Sequence, residues 1–160
     1  MSGRGMLSFS AEEIRAQQGL AVCRTVPAET LFPEPSEEAR LGGPVEASIE
    51  FSVGGNAILL QARLSGRWTV PCSRCLAEHG VAFSARAEET YPLSTQDIDV
   101  AEDLRQAALL ELPSRSLCRP DCKGLCPRCG ADLNSAACGC GTQTPGPLSG
   151  MKVLKKGKRK

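Results

Sequence analysis

Val45-Glu46-Ala47-Ser48-Ile49-Glu50-Phe51-Ser52-Val53 runs into Gly54-Gly55-Asn56 and then into Ala57-Ile58-Leu59-Leu60-Gln61-Ala62-Arg63-Leu64. In the first run apolar residues take every second position, with Glu or Ser between them. A β-strand turns successive side chains to opposite faces, so period two marks a strand with one wet face. Gly54-Gly55-Asn56 tolerates the positive φ of a tight hairpin. The chain returns with Ile58, Leu60, Ala62, Leu64, Trp68 and Val70 on one face and Gln61, Arg63, Ser65, Arg67 and Thr69 on the other. A third strand is predicted from about Val81, with Val81, Phe83, Ala85 and Ala87 together, and Pro92 closes it. The expected fold is α+β: a small antiparallel β-meander with a packed amphipathic helix.

Upstream of this meander, Ser10-Ala-Glu-Glu13 has the spelling of a capping box and predicts a short helix through Ile14 that ends near Gly19. Leu20 to Val26 reads as a strand carrying Cys23, a small apolar residue expected to be buried. Residues 27–44 hold Pro27, Pro33, Pro35 and Pro44 and read as a loop. Downstream, Asp99-Val-Ala-Glu102 is a second capping box. It opens a helix to Leu112 in which Val100, Leu104, Ala107, Ala108 and Leu112 share a face. Pro113 stops it. An amphipathic sheet must cover one side, so this helix is expected to pack on the meander.

The 160 residues are 41% hydrophobic and 23% charged, a composition that forms a packed core. No apolar run reaches the roughly 18–20 residues of a membrane span. Met1-Ser-Gly-Arg-Gly-Met6 lacks an apolar core with a small-residue cleavage site, so the expectation is a cytoplasmic protein. The formal charge of +1 conceals a split. Lys152, Lys155, Lys156, Lys158, Arg159 and Lys160 leave 13 basic against 18 acidic residues in the first 150, a net of −5. An acidic body carries a basic tail able to touch phosphates.

Nine cysteines outweigh the rest of the composition. An odd number without an export signal argues against a disulfide framework. Eight fall in close pairs: Cys72/Cys75, Cys118/Cys122, Cys126/Cys129 and Cys138/Cys140. Four pairs suit two tetrahedral thiolate sites, and tetrahedral sulfur points to zinc. Cys126-Pro-Arg-Cys129-Gly130 is a zinc knuckle in which Pro127 fixes the turn and Gly130 takes a positive φ. Cys138-Gly-Cys140 supplies the return pair. Cys118 and Cys122 are then assigned to the hairpin-tip pair Cys72 and Cys75, a clamp from the sheet to the segment leaving the long helix. The alternative groups Cys118/Cys122 with Cys126/Cys129 and releases Cys138/Cys140.

Three stretches follow: 1–113, a β-meander domain with an N-terminal helix and the long helix; 114–141, a zinc-binding module; 142–160, a Gly/Pro linker and basic tail. No nucleophile elbow, phosphate loop or His-carboxylate pair is present, and a closed four-thiolate site leaves no position for a reactive water. A redox Cys-x-x-Cys needs a helix N-terminus to lower its thiol, whereas Cys72 stands between strands. The expectation is a protein without enzymatic activity.

Cys72-Ser-Arg-Cys75-Leu76 in a hairpin, a helix ending in Leu-Pro, Cys122-Lys-Gly-Leu-Cys126-Pro-Arg-Cys129-Gly-Ala-Asp-Leu-Asn134 and Cys138-Gly-Cys140 together resemble the YceD family of large ribosomal RNA subunit accumulation proteins. The resemblance covers roughly residues 10–160, and the Lys-Arg-Lys ending fits it. It implies a ribosome-biogenesis role in accumulation or processing of large-subunit ribosomal RNA, with that RNA or a ribosomal protein as partner and no membrane. A zinc-ribbon adaptor without RNA contact is the competing reading, motivated by the acidic body.

Other residues have simpler readings beside functional ones. His79 could replace a thiolate, but eight cysteines already suffice. Trp68 could stack a base, but its register is that of the core. Asp97, Asp99, Glu102 and Asp103 are explained by helix capping. Arg63, Arg67, Arg74 and Arg86 form either a phosphate-binding stripe or a solvated sheet face.

Overall fold

The computed structural model describes residues 5–34 and 39–140. In chain order the elements are β1 (Ser8–Ser10), α1 (Ala11–Ala16), β2 (Gly19–Val26), α2 (Ala28–Leu31), β3 (Arg40–Leu41), β4 (Val45–Gly54), β5 (Ala57–Pro71), β6 (Glu78–Pro92), β7 (Asp97–Asp99) and α3 (Ala101–Leu110). The linker and basic tail expected at 142–160 lie outside the described residues.

The α+β reading holds. β2, β4, β5 and β6 form an antiparallel sheet in that order, and the short β3 pairs with β5 beyond the end of β4. Period two in the sequence becomes alternation in burial along β4: Val45, Ala47, Ile49 and Phe51 are buried, while Glu46, Ser48, Glu50 and Ser52 are exposed. The inner face continues through Ile58, Leu60, Ala62, Leu64, Trp68 and Val70 of β5 and Phe83, Ala85 and Ala87 of β6. Gly66 occupies an inner position of β5. A Cβ there would meet the Phe83 ring at 2.9 Å, so the missing side chain is the space Phe83 fills. Phe83 in turn lies 5.5 Å from Trp68, which meets Phe32 edge-on at 5.3 Å. Trp68 is therefore a core residue.

α3 covers the sheet on the β5/β6 side through Leu104, Ala107 and Ala108, and α1 closes the β2/β4 side with Ile14. Burying one Leu or Ile side chain contributes roughly 1.5–3 kcal/mol, which explains why short helices persist here without strong caps. Tyr91, near the end of β6, donates its hydroxyl to the Asp103 carboxylate on α3. Burial and that carboxylate both push the phenol pKa up. Arg15 of α1 donates to the Leu93 carbonyl and so ties the first helix to the chain leaving β6. Among the described residues, no helix is long and apolar enough to cross a membrane.

The structure corrects several local expectations. Ser10 precedes α1 but makes no side-chain cap, and α1 stops at Ala16 because the chain must turn into β2 at Gly19. At α3, Asp99 does accept a backbone N–H, from Ala101 at 3.0 Å, while Val100 occupies the capping position; the helix ends at Leu110. Residues 27–44 are not uniformly loop. They contain α2 and β3, whose Leu31 and Leu41 are buried against the core. β6 begins at Glu78, three residues before its apolar alternation, because β5 offers it partners as far as Pro71. Cys23 is exposed rather than buried. It pairs with Ser48, and that register places it on the polar face of the sheet.

Candidate metal centres

The eight paired cysteines converge into two groups of four. Cys72, Cys75, Cys118 and Cys122 form one; Cys126, Cys129, Cys138 and Cys140 form the other. Within each group all four sulfurs lie within 4.8 Å of one another. The alternative grouping of Cys118/Cys122 with Cys126/Cys129 does not occur.

The first quartet is built on the turn between β5 and β6. Cys72 follows the last residue of β5 directly. The Leu76 N–H donates to the Cys72 carbonyl at 3.0 Å, and the Cys72 N–H to the Ala77 carbonyl at 2.9 Å. Leu76 takes φ 62°, a left-handed conformation rare for a branched side chain. Its partners arrive from the segment after α3. The Ser73 N–H donates to the Ser116 carbonyl at 2.8 Å, and the Ser116 N–H returns a bond to Ser73 Oγ at 3.1 Å. These bonds deliver Cys118 and Cys122 to the hairpin tip. Cys72 and Cys122 sulfurs are 3.8 Å apart, and Cys75 and Cys118 sulfurs 3.6 Å apart. A tetrahedral site with zinc–sulfur bonds of about 2.3 Å has edges of about 3.8 Å, whereas a disulfide is about 2.05 Å long. All nine cysteines are free.

The second quartet sits on a smaller frame. The Gly130 N–H donates to the Cys126 carbonyl at 2.9 Å, and the Cys126 N–H to the Ala131 carbonyl at 2.8 Å. Gly130 takes the expected positive φ, 71°. Leu125 and Asp132 form an isolated antiparallel bridge across the base of this turn. Arg128 donates to the Cys140 carbonyl at 3.2 Å, which draws the return pair toward the knuckle.

Thiol acidity is divided within each group. Backbone N–H groups of Cys118, Cys75 and Arg74 aim at the Cys72 sulfur and lower its pKa to about 5. Those of Cys129 and Arg128 do the same for Cys126, to about 6. Burial and the neighbouring thiols push Cys118 up to about 12; Cys129 beside it, and burial, push Cys140 up to about 12. Four like ligands in one small space resist ionising together unless a cation joins them. All-sulfur donors at tetrahedral spacing, grouped with no other candidate ligand among the described residues, fit zinc in a closed, structural role.

Other sequence candidates fall elsewhere. His79 is not among the ligands; its Nε2 lies 2.6 Å from Ser116 Oγ, and so it braces the segment that carries Cys118. Arg63, Arg67 and Arg86 share the outward sheet face, with Arg63 directly opposite Arg86. Arg74 leaves that stripe and donates to the Cys122 carbonyl at 2.7 Å. The sequence reading missed Arg74 and Asn134 as residues that touch a quartet. The signal for Asn134 was the Asp132-Leu133-Asn134 spelling, an Asx turn in which the Asn134 N–H reaches Asp132 Oδ1 at 2.9 Å.

Comparison with known proteins adds the following. The family model described as large ribosomal RNA subunit accumulation protein YceD matches residues 77–155. That match covers just under half of the chain; it is narrower than the span of resemblance read from the sequence and begins just after Cys75. The chain is similar to the Arabidopsis thaliana protein named large ribosomal RNA subunit accumulation protein YCED homolog 1, chloroplastic: 33% identical over 66 residues, 39% of this chain and 21% of that protein. The Zea mays protein of the same name is 36% identical over 66 residues, 41% of this chain and 22% of that protein. An uncharacterized Mycobacterium tuberculosis protein is 28% identical over 111 residues, 59% of this chain and 54% of its own. The chain thus spans about a fifth of the plant relatives and about half of the mycobacterial one. No solved structure gives a significant match.

Proposed function

We propose that this protein is a non-enzymatic factor in large-ribosomal-subunit biogenesis, acting in the cytoplasm on the accumulation or processing of large-subunit ribosomal RNA. In this reading each cysteine quartet holds a structural zinc ion: Cys72, Cys75, Cys118 and Cys122 one, Cys126, Cys129, Cys138 and Cys140 the other. The observation that carries the ribosomal part is the match of residues 77–155 to a family described by that RNA. Sulfur spacings of 3.6 and 3.8 Å support the metal part.

The quartets serve as staples. The first holds the chain beyond α3 to the hairpin tip, and the second folds a segment too short to build its own core. Each zinc with four thiolates carries −2, so two ions take the formal charge from +1 to −3. RNA contact in this reading therefore falls to the Lys- and Arg-rich residues 152–160, with Arg63, Arg67 and Arg86 as a second cationic surface.

Native mass spectrometry tests the metal: two zinc ions per chain are expected, and one or none overturns the paired sites. A gel-shift titration against large-subunit ribosomal RNA tests the contact. Binding that weakens with salt and on deletion of 151–160 is expected, since each neutralised phosphate releases counterions. The acidic body favours a second reading, an adaptor that meets a ribosomal protein instead. Absence of RNA binding by the metal-loaded protein, with co-purification of a ribosomal protein, would establish that reading in place of the first.

A further inference from the structure

Asn134 belongs to the loop between Cys129 and Cys138, yet its side chain reaches the other quartet. Its Nδ2 donates to Cys122 Sγ at 3.5 Å and to Asp132 Oδ1 at 2.7 Å. Its Oδ1 accepts the Lys123 backbone N–H at 2.8 Å. Both amide hydrogens and the amide oxygen are therefore committed, and the network itself fixes which end is nitrogen.

What holds Asn134 in place is the frame of the second quartet. Asp132 accepts from the Asn134 backbone N–H and from Ser135 Oγ, the latter at 3.1 Å. The Leu133 N–H donates to the Gly124 carbonyl at 2.9 Å, and Leu125 bridges Asp132. The loop's two ends are Cys129 and Cys138, which a metal ion in that quartet ties together. Cys122, the acceptor, is a buried member of the first quartet. A second link runs the other way. Arg74, inside the first knuckle, donates to the Cys122 carbonyl, and its own carbonyl accepts the Leu125 N–H at 3.1 Å, one residue before Cys126.

We propose that Asn134 is a positioning residue that couples the two quartets. A metal in the Cys126 quartet fixes the 130–137 loop, and the loop sets the Asn134 amide on the Cys122 sulfur. There the N–H orients the Cys122 sulfur toward the other three and takes up part of the charge on a metal-bound sulfur, so the first quartet binds its own metal more tightly. Outer-sphere partners of metal ligands change affinity by about 10–100-fold, and a single N–H···S contact belongs at the lower end, about tenfold. Coupling between two binding sites is reciprocal, so loss of the first quartet's metal loosens the second by the same factor. The inference rests on the reading that both quartets hold metal.

The test uses the full chain loaded with zinc and challenged with graded EDTA. Exposed thiols are then alkylated and mapped by peptide mass spectrometry, which reads each quartet separately. Asn134→Asp keeps an oxygen for the Lys123 N–H and loses the donor. It is expected to expose the first quartet at about tenfold lower EDTA. Asn134→Ala, which adds no negative charge, carries the same expectation and excludes simple repulsion. Cys138→Ser dismantles the second quartet and is expected to weaken the first by the same factor. In the combined variant the two losses do not multiply, because Asn134 has no frame left to act from. Buried Trp68 fluorescence reports that the sheet stays folded throughout. An unchanged first quartet in either Asn134 variant or in Cys138→Ser overturns the coupling, and so does full multiplication in the combined variant; in each case two zinc ions bound to the wild-type chain leave the metal reading intact. Alkylation of all eight cysteines in the zinc-treated wild type, before any EDTA, overturns the metal reading and the coupling with it.

Discussion

Cys72-Ser-Arg-Cys75-Leu-Ala77 and Cys126-Pro-Arg-Cys129-Gly-Ala131 are nearly the same word folded in the same way. In each, the residue after the second cysteine is left-handed and returns its N–H to the first cysteine's carbonyl. In each, the first cysteine's N–H reaches the following alanine's carbonyl. In each, the first thiol is the acidic one. They differ in what they stand on. The first turn caps two fifteen-residue strands, β5 and β6, whose inner faces belong to the main core. The second stands on one isolated bridge. With metal bound as proposed, the same local device would act as a cross-link to the sheet in one place and as the framework of a short segment in the other.

The comparison breaks most visibly by ligand removal. Cys75→Ser is expected to destabilise the whole domain by about 2–4 kcal/mol, the range for a cross-link that closes a loop of some forty residues. The thermal midpoint falls and amide protection weakens from Leu104 to Leu110. Cys129→Ser is expected to abolish protection across 118–140 while leaving β4 to β6 protected. Equal loss of sheet protection in both variants would erase the distinction between cross-link and module.

The left-handed residue is the next lever. Gly130→Leu copies the first turn into the second. Nothing stands within 4 Å of a Cβ there, so the cost is backbone strain alone, about 1–2 kcal/mol. Leu76→Gly is the reverse change; Leu76 is 64% exposed and loses little packing, so a gain of up to about 1 kcal/mol in the loaded protein is expected. Chelator competition measures both, and a stabilising Gly130→Leu would show that the turns are not equivalent.

Acid should separate the two sites more gently. Metal binding displaces protons from the thiols, so affinity rises with pH and falls on acidification. Cys118 and Cys140, both near 12, are protonated throughout the neutral range and contribute alike. Cys126, at about 6, regains its proton before Cys72, at about 5. The affinity of the second quartet therefore steepens first as pH falls through 6, and it is expected to empty first in a zinc-release titration. Release of the first quartet at higher pH would contradict the assignment. The smallest effect belongs to Cys23, the cysteine outside both quartets. Cys23→Ser, on the polar sheet face, is expected to change stability by less than about 0.5 kcal/mol in thermal unfolding and to leave two zinc ions bound.

The meander was legible because β4 and β5 write their faces in strict alternation, and the quartets because cysteine spacing is an unusually specific chemical pattern. What escaped depended on partners distant in sequence. Glu78-His79-Gly80 has no alternation of its own and is a strand only because Thr69 to Pro71 pair with it. Leu31 and Leu41 are buried by a core to which their proline-rich surroundings give no clue. Cys23 obeys the register of β4 rather than its own hydrophobicity. Asn134 reaches from the second knuckle's frame to the first quartet, and Arg74 ties the first knuckle to Cys122 and Leu125, relations that spacing within either cysteine pair does not encode.

The placement of the first turn at the tip of β5 and β6 also acts as a gauge of strand alignment. Pro71 and Glu78 are the last paired residues, and only six positions remain to make the turn. A slip of β6 by one residue along β5 would exchange the faces of β6, bringing Arg86 toward the core and turning Ala85 outward. The same slip would lengthen or shorten that six-residue loop and part the Cys72 and Cys75 sulfurs. A bound ion would accept one alignment alone, so it would proofread the longest strand pair in the molecule as well as hold its end.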